Sequence, residues 1–331
     1  MSKITTYDFI ASNKRKTVFL MILFPLSLIV LVYAALFFVS YISADPSSGQ
    51  GYYQDPINTA NILAMEILPV ISVIAIIFVL IGYFSGQNFI LAVSGGVELT
   101  RENAPEIIRI VENLSITAGI PMPRVFAMDD ESLNAFATGR DPKHSYIALT
   151  KGLVNTLEKD ELEGVIAHEM SHIKNYDIRI MLITIACISF ATIIAEILLR
   201  FAMFSGRGRD SKGNGIRIVL IALAVVFFVY GYLLAPLIRL AVSRAREFQA
   251  DATAALITRN PQGLINALRK ISGHSEVKKL NDKETISSIC IASPLRADKH
   301  GTAFSRISGL FSTHPPIEDR IKALQIMDGQ R

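Results

Sequence analysis

The sequence has 331 residues, of which 51% are hydrophobic, and its mean hydropathy of +0.39 is higher than soluble proteins of this size usually reach. Its net charge of +4 requires no nucleic acid as a partner, because basic residues at the edges of membrane segments account for it. The two cysteines exclude a disulfide framework, which indicates a reducing compartment.

Four nearly charge-free apolar runs predict membrane helices. They are Val18–Val39, Ile67–Phe84, Ile180–Leu199 and Ile218–Ile238. Each is about 20 residues long, which is enough to cross the hydrocarbon core of a bilayer. The first two runs show no amphipathic periodicity, so we expect both to cross. For the last two, a hairpin that lies only partly in lipid stays open, because Glu196 and flanking arginines interrupt the pattern.

The positions of lysine and arginine predict the orientation. Four basic residues precede the first run, namely Lys3, Lys14, Arg15 and Lys16, whereas residues 40–61 contain neither lysine nor arginine. The N-terminus is therefore expected in the cytoplasm, and residues 87–179 with it. We predict a membrane hairpin at 1–86, a soluble part at 87–179, a second hairpin at 180–238 and a second soluble part at 239–331.

The first soluble part begins with an amphipathic helix and short strands. Apolar residues at helical spacing precede Gly119, where the helix should end: Ile107, Ile110, Val111 and Leu114. Strands are predicted at 124–128 and 145–150, and the stretch between them, NAFATGRDPK, carries turn signals at Gly139 and Asp141. A small sheet is the expectation.

The next segment, TLEKDELEGVIAHEMSHIKNYD, predicts a helix of about four turns. Asp160 and Glu163 have the spacing of a capping box at its start. Its apolar residues then fall on one stripe: Leu162, Val165, Ile166, Met170 and Ile173. Further helices are predicted at 239–260 and, after two prolines, in HPPIEDRIKALQIM, where Ile317, Ile321, Leu324 and Met327 form the apolar face.

His168 and His172 stand four residues apart on this helix, so both imidazoles can reach one metal ion. Glu169 lies beside the first histidine. There it can take a proton from a water molecule that the metal activates and later pass it to a leaving amine. His-Glu-x-x-His is the arrangement of metalloproteases, and the alternative is an ordinary charged helix that carries histidines by chance.

A catalytic zinc site needs a third protein ligand. The segment SRAREFQADATAAL, after the fourth run, offers Glu247 as this ligand and Asp251, one helical turn later, as the hydrogen-bond partner of a ligand imidazole, with His168 favoured. If the third and fourth runs both cross the membrane, the chain returns to its original side, and Glu247 lies on the same side of the membrane as His168 and His172. The alternative is an ordinary pair of carboxylates with Arg244 and Arg246 as counter-charges.

Five motifs occur in one order along nearly the whole chain, namely YDFIASNKRK, NAFATG, AHEMSHIKNYD, SRAREFQAD and FSTHPPIEDRI. With them the sequence resembles the HtpX-type membrane zinc metalloproteases, relatives of the CAAX prenyl proteases and of the mitochondrial Oma-type protease. The resemblance implies a mostly α membrane protein with about four membrane helices and a gluzincin-type α+β domain with a small sheet. It also implies His168, His172 and Glu247 as ligands of one zinc ion (Zn2+), with Glu169 as the base.

The resemblance also bears on substrate binding. NAFATG is similar to an edge strand along which a peptide substrate is laid as an added strand, which points to Asn134, Ala135 and Phe136. Core packing is an equal interpretation of Phe136. For His314, in THPP, both a contact with the oxyanion of the tetrahedral intermediate and a role at the start of the helix stay open.

The function that follows is an integral membrane zinc endopeptidase of the cell membrane, with its active site facing the cytoplasm. The resemblance implies damaged or misfolded membrane proteins, or peptides from them, as substrates. The expected partners are these substrates and the lipid bilayer, without nucleic acid, and a homo-oligomer stays open. The alternatives are a CAAX-type processing protease and a catalytically inert membrane scaffold that keeps zinc for structure.

Overall fold

The structure is a computed structural model that describes residues 6–43, 55–205, 217–231, 244–272 and 315–329. Its helices are α1 (Thr6–Ser43), α2 (Pro56–Ser94), α3 (Pro105–Ala118), α4 (Lys151–Thr156), α5 (Lys159–Lys174), α6 (Asp177–Ser205), α7 (Arg217–Gly231), α8 (Arg244–Thr258), α9 (Pro261–Ile271) and α10 (Ile317–Gly329). Its strands are β1 (Val97–Leu99), β2 (Arg124–Met128), β3 (Ala135–Asp141) and β4 (His144–Thr150). The prediction of a mostly α protein with a small sheet is confirmed.

The chain forms two compact units. The first contains Met1–Thr17, Gly82–Ile185 and Pro236–Arg331, and the second contains Val18–Ile81 and Ala186–Ala235. Helices α1, α2 and α6 therefore each contribute residues to both units. We call the first unit the soluble unit and the second the membrane unit.

Three helices of the described residues are long and apolar enough to cross a membrane, with candidate spans at Ala11–Tyr41, Pro56–Ala92 and Asp177–Phe204. Only 17% of the most apolar window of α2 is buried inside the protein, so most of its apolar surface is left for lipid. Helix α7 is apolar but shorter, and the end of the fourth predicted run, to residue 238, lies outside the described residues.

Within the membrane unit, α1, α2, α6 and α7 pack around one aromatic side chain. The ring of Phe190 on α6 contacts Phe24 of α1 at 5.6 Å between centroids, Phe78 of α2 at 5.3 Å and Phe227 of α7 at 6.3 Å. The first two contacts have the edge-on geometry that aromatic pairs prefer. Close packing in lipid rests on such contacts, because apolar side chains gain no hydrophobic free energy by leaving lipid for protein.

The soluble unit contains a four-stranded sheet in the order β1-β2-β4-β3. Strand β2 runs parallel to β4, while β1 and β3 are antiparallel to their neighbours. The turn predicted at Asp141-Pro142 is present, whereas the one predicted at Gly139 is not, because Gly139 lies within β3. Gly139, with φ +148°, sits at an irregularity of the β3–β4 ladder, where a Cβ would approach the His144 carbonyl oxygen to 2.3 Å.

The two faces of the sheet pack against different helices. One face and helices α3, α5, α8, α9 and α10 share a hydrophobic core in which Ile147, Leu149 and Ile166 are fully buried. On the other face, Phe126 and Phe136 pack against Ile90 of α2 and Leu182 and Ile185 of α6. The sheet is therefore held between the soluble helices and the ends of two membrane-spanning helices.

Helix α5 has the predicted length and buried stripe, but its start differs from the prediction. The backbone N–H of Glu158 donates to Oε2 of Glu161 at 2.8 Å, so the cap lies two residues before the predicted pair Asp160 and Glu163. Lys270 of α9 donates to the same carboxylate oxygen of Glu161 at 2.7 Å. The pairs Glu158/Glu161 and Asp160/Glu163 have the same spacing in the sequence, but it is Glu161 that also binds Lys270 of another helix.

The tight packing of α5 on α9 leads to a test at Gly164. A Cβ at this position would lie 2.8 Å from the backbone nitrogen of Leu264, so Gly164→Ala should force the helices apart. We expect a destabilisation of about 1–3 kcal/mol, seen as a lower midpoint of thermal unfolding in detergent. Gly329→Ala is the control, because nothing lies within 4 Å of its Cβ position. Equal midpoints for both variants would contradict the close packing.

Candidate metal-binding site

Two histidines of α5 and a glutamate of α8 converge in the soluble unit. Single ligand atoms of His168, His172 and Glu247 all lie within 4.8 Å of one another. The two Nε2 atoms are 3.2 Å apart, and Glu247 carboxylate oxygens lie 3.8 Å from Nε2 of His168 and 3.5 Å from Nε2 of His172. Tetrahedral zinc, with bonds of about 2.0–2.1 Å, separates its ligand atoms by about 3.4 Å, so this donor set fits zinc.

The burial of these groups also fits a bound cation. The side chains of His168 and Glu247 are almost fully buried, whereas 14% of the His172 side chain is exposed. Nη1 of Arg320 lies 3.9 Å from Oε2 of Glu247, and a metal cation would be a second positive partner for this buried carboxylate. Of the three donors, His172 has the largest exposed fraction. Glu169, which follows the first histidine, is buried as well.

The outer nitrogen of His168 is held by Asp251. Its Nδ1 lies 2.9 Å from Oδ1 of Asp251, which stands one turn after Glu247 on α8. Arg320 of α10, itself fully buried, donates to both oxygens of this carboxylate, from Nε at 2.8 Å and from Nη2 at 2.7 Å. Burial alone would raise the pKa of Asp251, but Arg320 and His168 lower it to about 2. Asp251 is therefore an ionised hydrogen-bond acceptor.

The outer nitrogen of His172 is held by a second aspartate. Its Nδ1 lies 3.0 Å from Oδ2 of Asp177, and Nη1 of Arg246 donates to Oδ1 of the same carboxylate at 3.0 Å. Burial alone would lower the pKa of His172, but the bond to Asp177 and the nearby Glu247 carboxylate raise it to about 9. The surroundings of this ring therefore favour a positive charge, which a metal cation supplies.

The backbone between α5 and α6 brings Asp177 back to the histidine. Helix α5 ends at Lys174 with Asn175 as its C-cap, and Tyr176 then adopts the left-handed conformation with φ +61°. A residue other than glycine is strained there by roughly 1–3 kcal/mol, which the surrounding structure must offset. The reversal lets a residue only five positions after His172 in sequence reach its outer nitrogen.

Three residues of this arrangement were not predicted from the sequence to hold the ligand histidines: Asp177, Arg246 and Arg320. A signal for Arg320 was present, since an arginine stands on the apolar face of α10, between Ile317 and Ile321. A buried arginine on such a face needs a carboxylate partner. Of the counter-charges in the alternative interpretation, Arg246 pairs with Asp177, while Asp251 is paired with Arg320.

The residues proposed for substrate contact lie at and just before the start of β3. Asn134, Ala135 and Phe136 are fully buried, and Phe136 packs in the cluster on the second face of the sheet. Among the described residues, no strand pairs with the outer edge of β3, although the strand itself is buried from Ala135 to Gly139. His314 lies outside the described residues.

Residues 101–328, more than two thirds of the chain, match the profile of peptidase family M48. The chain belongs to peptidase family M48. Its HExxH helix, its third candidate ligand and the arginine of α10 all fall inside the matched range.

Curated relatives of this M48 protein match it over almost their entire length. A protease HtpX homolog of Dictyoglomus turgidum is 40% identical over 335 residues, which cover 100% of this chain and 97% of the relative. Homologs of the same name from Bacteroides fragilis, 37% identical, and Lactobacillus acidophilus, 38% identical, cover 95% and 97% of this chain and 96% and 99% of their own. The resemblance to HtpX-type proteases is confirmed.

A solved structure, the crystal structure of S. mikatae Ste24p, is also similar. It has 21% sequence identity and a TM-score of 0.45, and the match covers 89% of this chain and 61% of that chain. With its span-length helices and its relatives, this M48 protein is a multi-pass membrane protein of a protease family.

The buried pair of Arg320 and Asp251 gives a test that needs no metal. Arg320→Met leaves Asp251 as a buried charge without its bidentate partner, so we expect a loss of about 3–5 kcal/mol in stability, measured by denaturant unfolding of the metal-free protein. The double variant Arg320→Met/Asp251→Asn should recover part of this loss, because no uncompensated carboxylate remains at position 251. A double variant less stable than Arg320→Met would contradict the pairing.

Proposed function

We propose that this M48 protein is a zinc-dependent endopeptidase, with His168, His172 and Glu247 as the ligands of one zinc ion and Glu169 as the catalytic base. The observation that carries the proposal is the convergence of the three donors, together with the two aspartates that fix both imidazoles. Partners that hold the outer nitrogen of a ligand histidine orient the ring and increase its basicity. A site that serves only structure needs no base beside its ligands.

The proposed reaction is the hydrolysis of a peptide bond. Bound zinc supplies Lewis-acid polarisation of a water molecule and of the scissile carbonyl. Glu169 accepts a proton from the water as its oxygen bonds to the carbonyl carbon, and it returns that proton to the nitrogen as the C–N bond breaks. Asp251 and Asp177 keep the Nδ1 protons of the two histidines, so that both Nε2 lone pairs point to the metal.

The proposed substrates are proteins with extended, unfolded segments. No described strand pairs with the outer edge of β3, so its ladder of backbone hydrogen bonds has room for an added peptide strand, although Asn134, Ala135 and Phe136 are fully buried. Recognition through the backbone depends little on the sequence of the substrate. This supports a role in quality control, in which damaged or misfolded membrane proteins are cleaved.

The proposed location is the cell membrane, with the active site on the cytoplasmic side. Three exposed basic residues near the start of α1 belong to the same compact unit as α5 and α8, namely Lys14, Arg15 and Lys16. The excess of basic residues that membrane proteins carry on their cytoplasmic side supports a cytoplasmic position for this unit.

The base is tested with Glu169→Gln. We expect this variant to keep one zinc ion per chain while its cleavage of an unfolded membrane protein falls by a factor of about 100 or more, because no carboxylate remains to move the proton. Purified protein is assayed with zinc, and after zinc removal by a chelator. Glu163→Gln, which changes a half-exposed glutamate of the same helix, is the control. Cleavage by Glu169→Gln at the parent rate would show that the mechanism is wrong.

The third ligand is tested with Glu247→Ala. We expect the variant to be purified without stoichiometric zinc and to lose activity, because two histidines alone leave a catalytic zinc site one protein ligand short. Metal content is measured by elemental analysis. Gln249→Ala, two residues along the same helix, should keep its zinc. A full zinc content in Glu247→Ala would remove Glu247 from the site.

A further inference from the structure

Asn13 is a buried polar residue near the start of α1, just before the first apolar run. It is only 2% exposed. Its Nδ2 group donates to the backbone carbonyl of Asn175 at 2.7 Å and to Oδ1 of Asp177 at 2.8 Å. Both protons of the amide are thereby used. These contacts join residues more than 160 positions apart in sequence, within the soluble unit.

Both acceptors belong to the junction that supplies the partner of His172. Asn175 is the C-cap of α5, Tyr176 adopts the left-handed conformation, and Asp177 begins α6. One Asn13 bond holds the carbonyl before the left-handed residue, and the other holds the carboxylate after it. The side chain therefore bridges a strained turn.

The carboxylate of Asp177 uses its two oxygens differently. Oδ2 faces Nδ1 of His172 at 3.0 Å, whereas Oδ1 accepts from Asn13 at 2.8 Å and from Arg246 at 3.0 Å. Two donors on Oδ1 restrict rotation of the carboxylate, so Oδ2 is directed at the imidazole. Arg246 precedes Glu247 on α8, so the contacts of Asp177 connect α1, α5, α6 and α8.

We infer that Asn13 is a positioning residue of the metal centre, which acts through Asp177 on the orientation of His172. The inference rests on the proposed zinc site and adds to it a residue from the N-terminal helix. The segment YDFIASNKRK, which contains Asn13, then has a role besides orienting the first membrane helix. The metal centre is complete only when this segment is docked.

The first experiment measures zinc affinity by competition with a chelator in detergent. Partners that orient a ligand histidine typically change metal affinity 10- to 100-fold, and Asn13 is one contact further away, so we expect Asn13→Ala to weaken zinc binding by a factor of about 3–10. Thr17→Val is the control. Thr17 is also buried on α1, and its hydroxyl donates to the Asn13 carbonyl at 2.9 Å, away from Asp177. Its affinity should equal that of the parent.

A double-mutant cycle tests whether the effect passes through Asp177. In the Asp177→Asn background, Asn13→Ala should weaken zinc binding by less than a factor of about 2, because the carboxylate that Asn13 orients is already gone. The full 3- to 10-fold loss in that background would overturn the inference. Thermal unfolding of the metal-free variants supplies the second measurement, since a lower midpoint in Asn13→Ala with unchanged zinc affinity would show a role in folding alone.

The outcomes separate this inference from the function on which it rests. If the parent binds zinc and Asn13→Ala binds it equally tightly, the inference fails and the proposed function stands. If Thr17→Val loses as much affinity as Asn13→Ala, the effect comes from the helix as a whole, and the inference also fails. If the parent itself binds no zinc, the proposed function is overturned and the inference with it.

Discussion

Each imidazole of the candidate zinc site is hydrogen-bonded through Nδ1 to an aspartate, His168 to the buried Asp251 at 2.9 Å and His172 to the partly buried Asp177 at 3.0 Å. The aspartates come from different elements, α8 and α6. Both Nε2 atoms can therefore face one point only if three helices are held in register. The capped start of α5, its close packing on α9 and the strained turn at Tyr176 are the parts of the fold that provide this register.

An ionised aspartate in such a poorly solvated position is unfavourable unless a positive charge lies beside it. Each of the two aspartates is paired with a buried arginine, Asp251 with Arg320 and Asp177 with Arg246. Such pairs add little net stability, since the desolvation of both ions offsets most of their attraction, but the loss of one partner is strongly unfavourable. Their effect is to fix geometry. Helix α10, which ends the described chain, is tied by this means to an imidazole 152 residues earlier.

The sequence predicted those parts of the site that depend on local spacing. His168, Glu169 and His172 lie within a single helix, where positions four apart share a face, and Glu247 and Asp251 repeat this spacing on α8. Arg320, Arg246 and Asn13 act across 69 to 164 residues, and no local pattern reports which distant carboxylate they meet. Strand β3 was indicated only by the resemblance and not by the residue pattern, for a related reason. Its glycine marks an irregular ladder, which looks like a turn until the partner strand is known.

The edge of the sheet links the proposed chemistry to the proposed substrates. The first five residues of β3 are buried and contribute to two hydrophobic clusters, so a peptide added at the outer edge would be recognised through its backbone. A folded protein has few free strands to pair with such an edge, whereas an unfolded segment supplies one wherever its backbone is extended. Selection would then depend on the unfolded state of the substrate rather than on its residues. Such selection suits an enzyme that must act on many damaged membrane proteins and spare their folded forms.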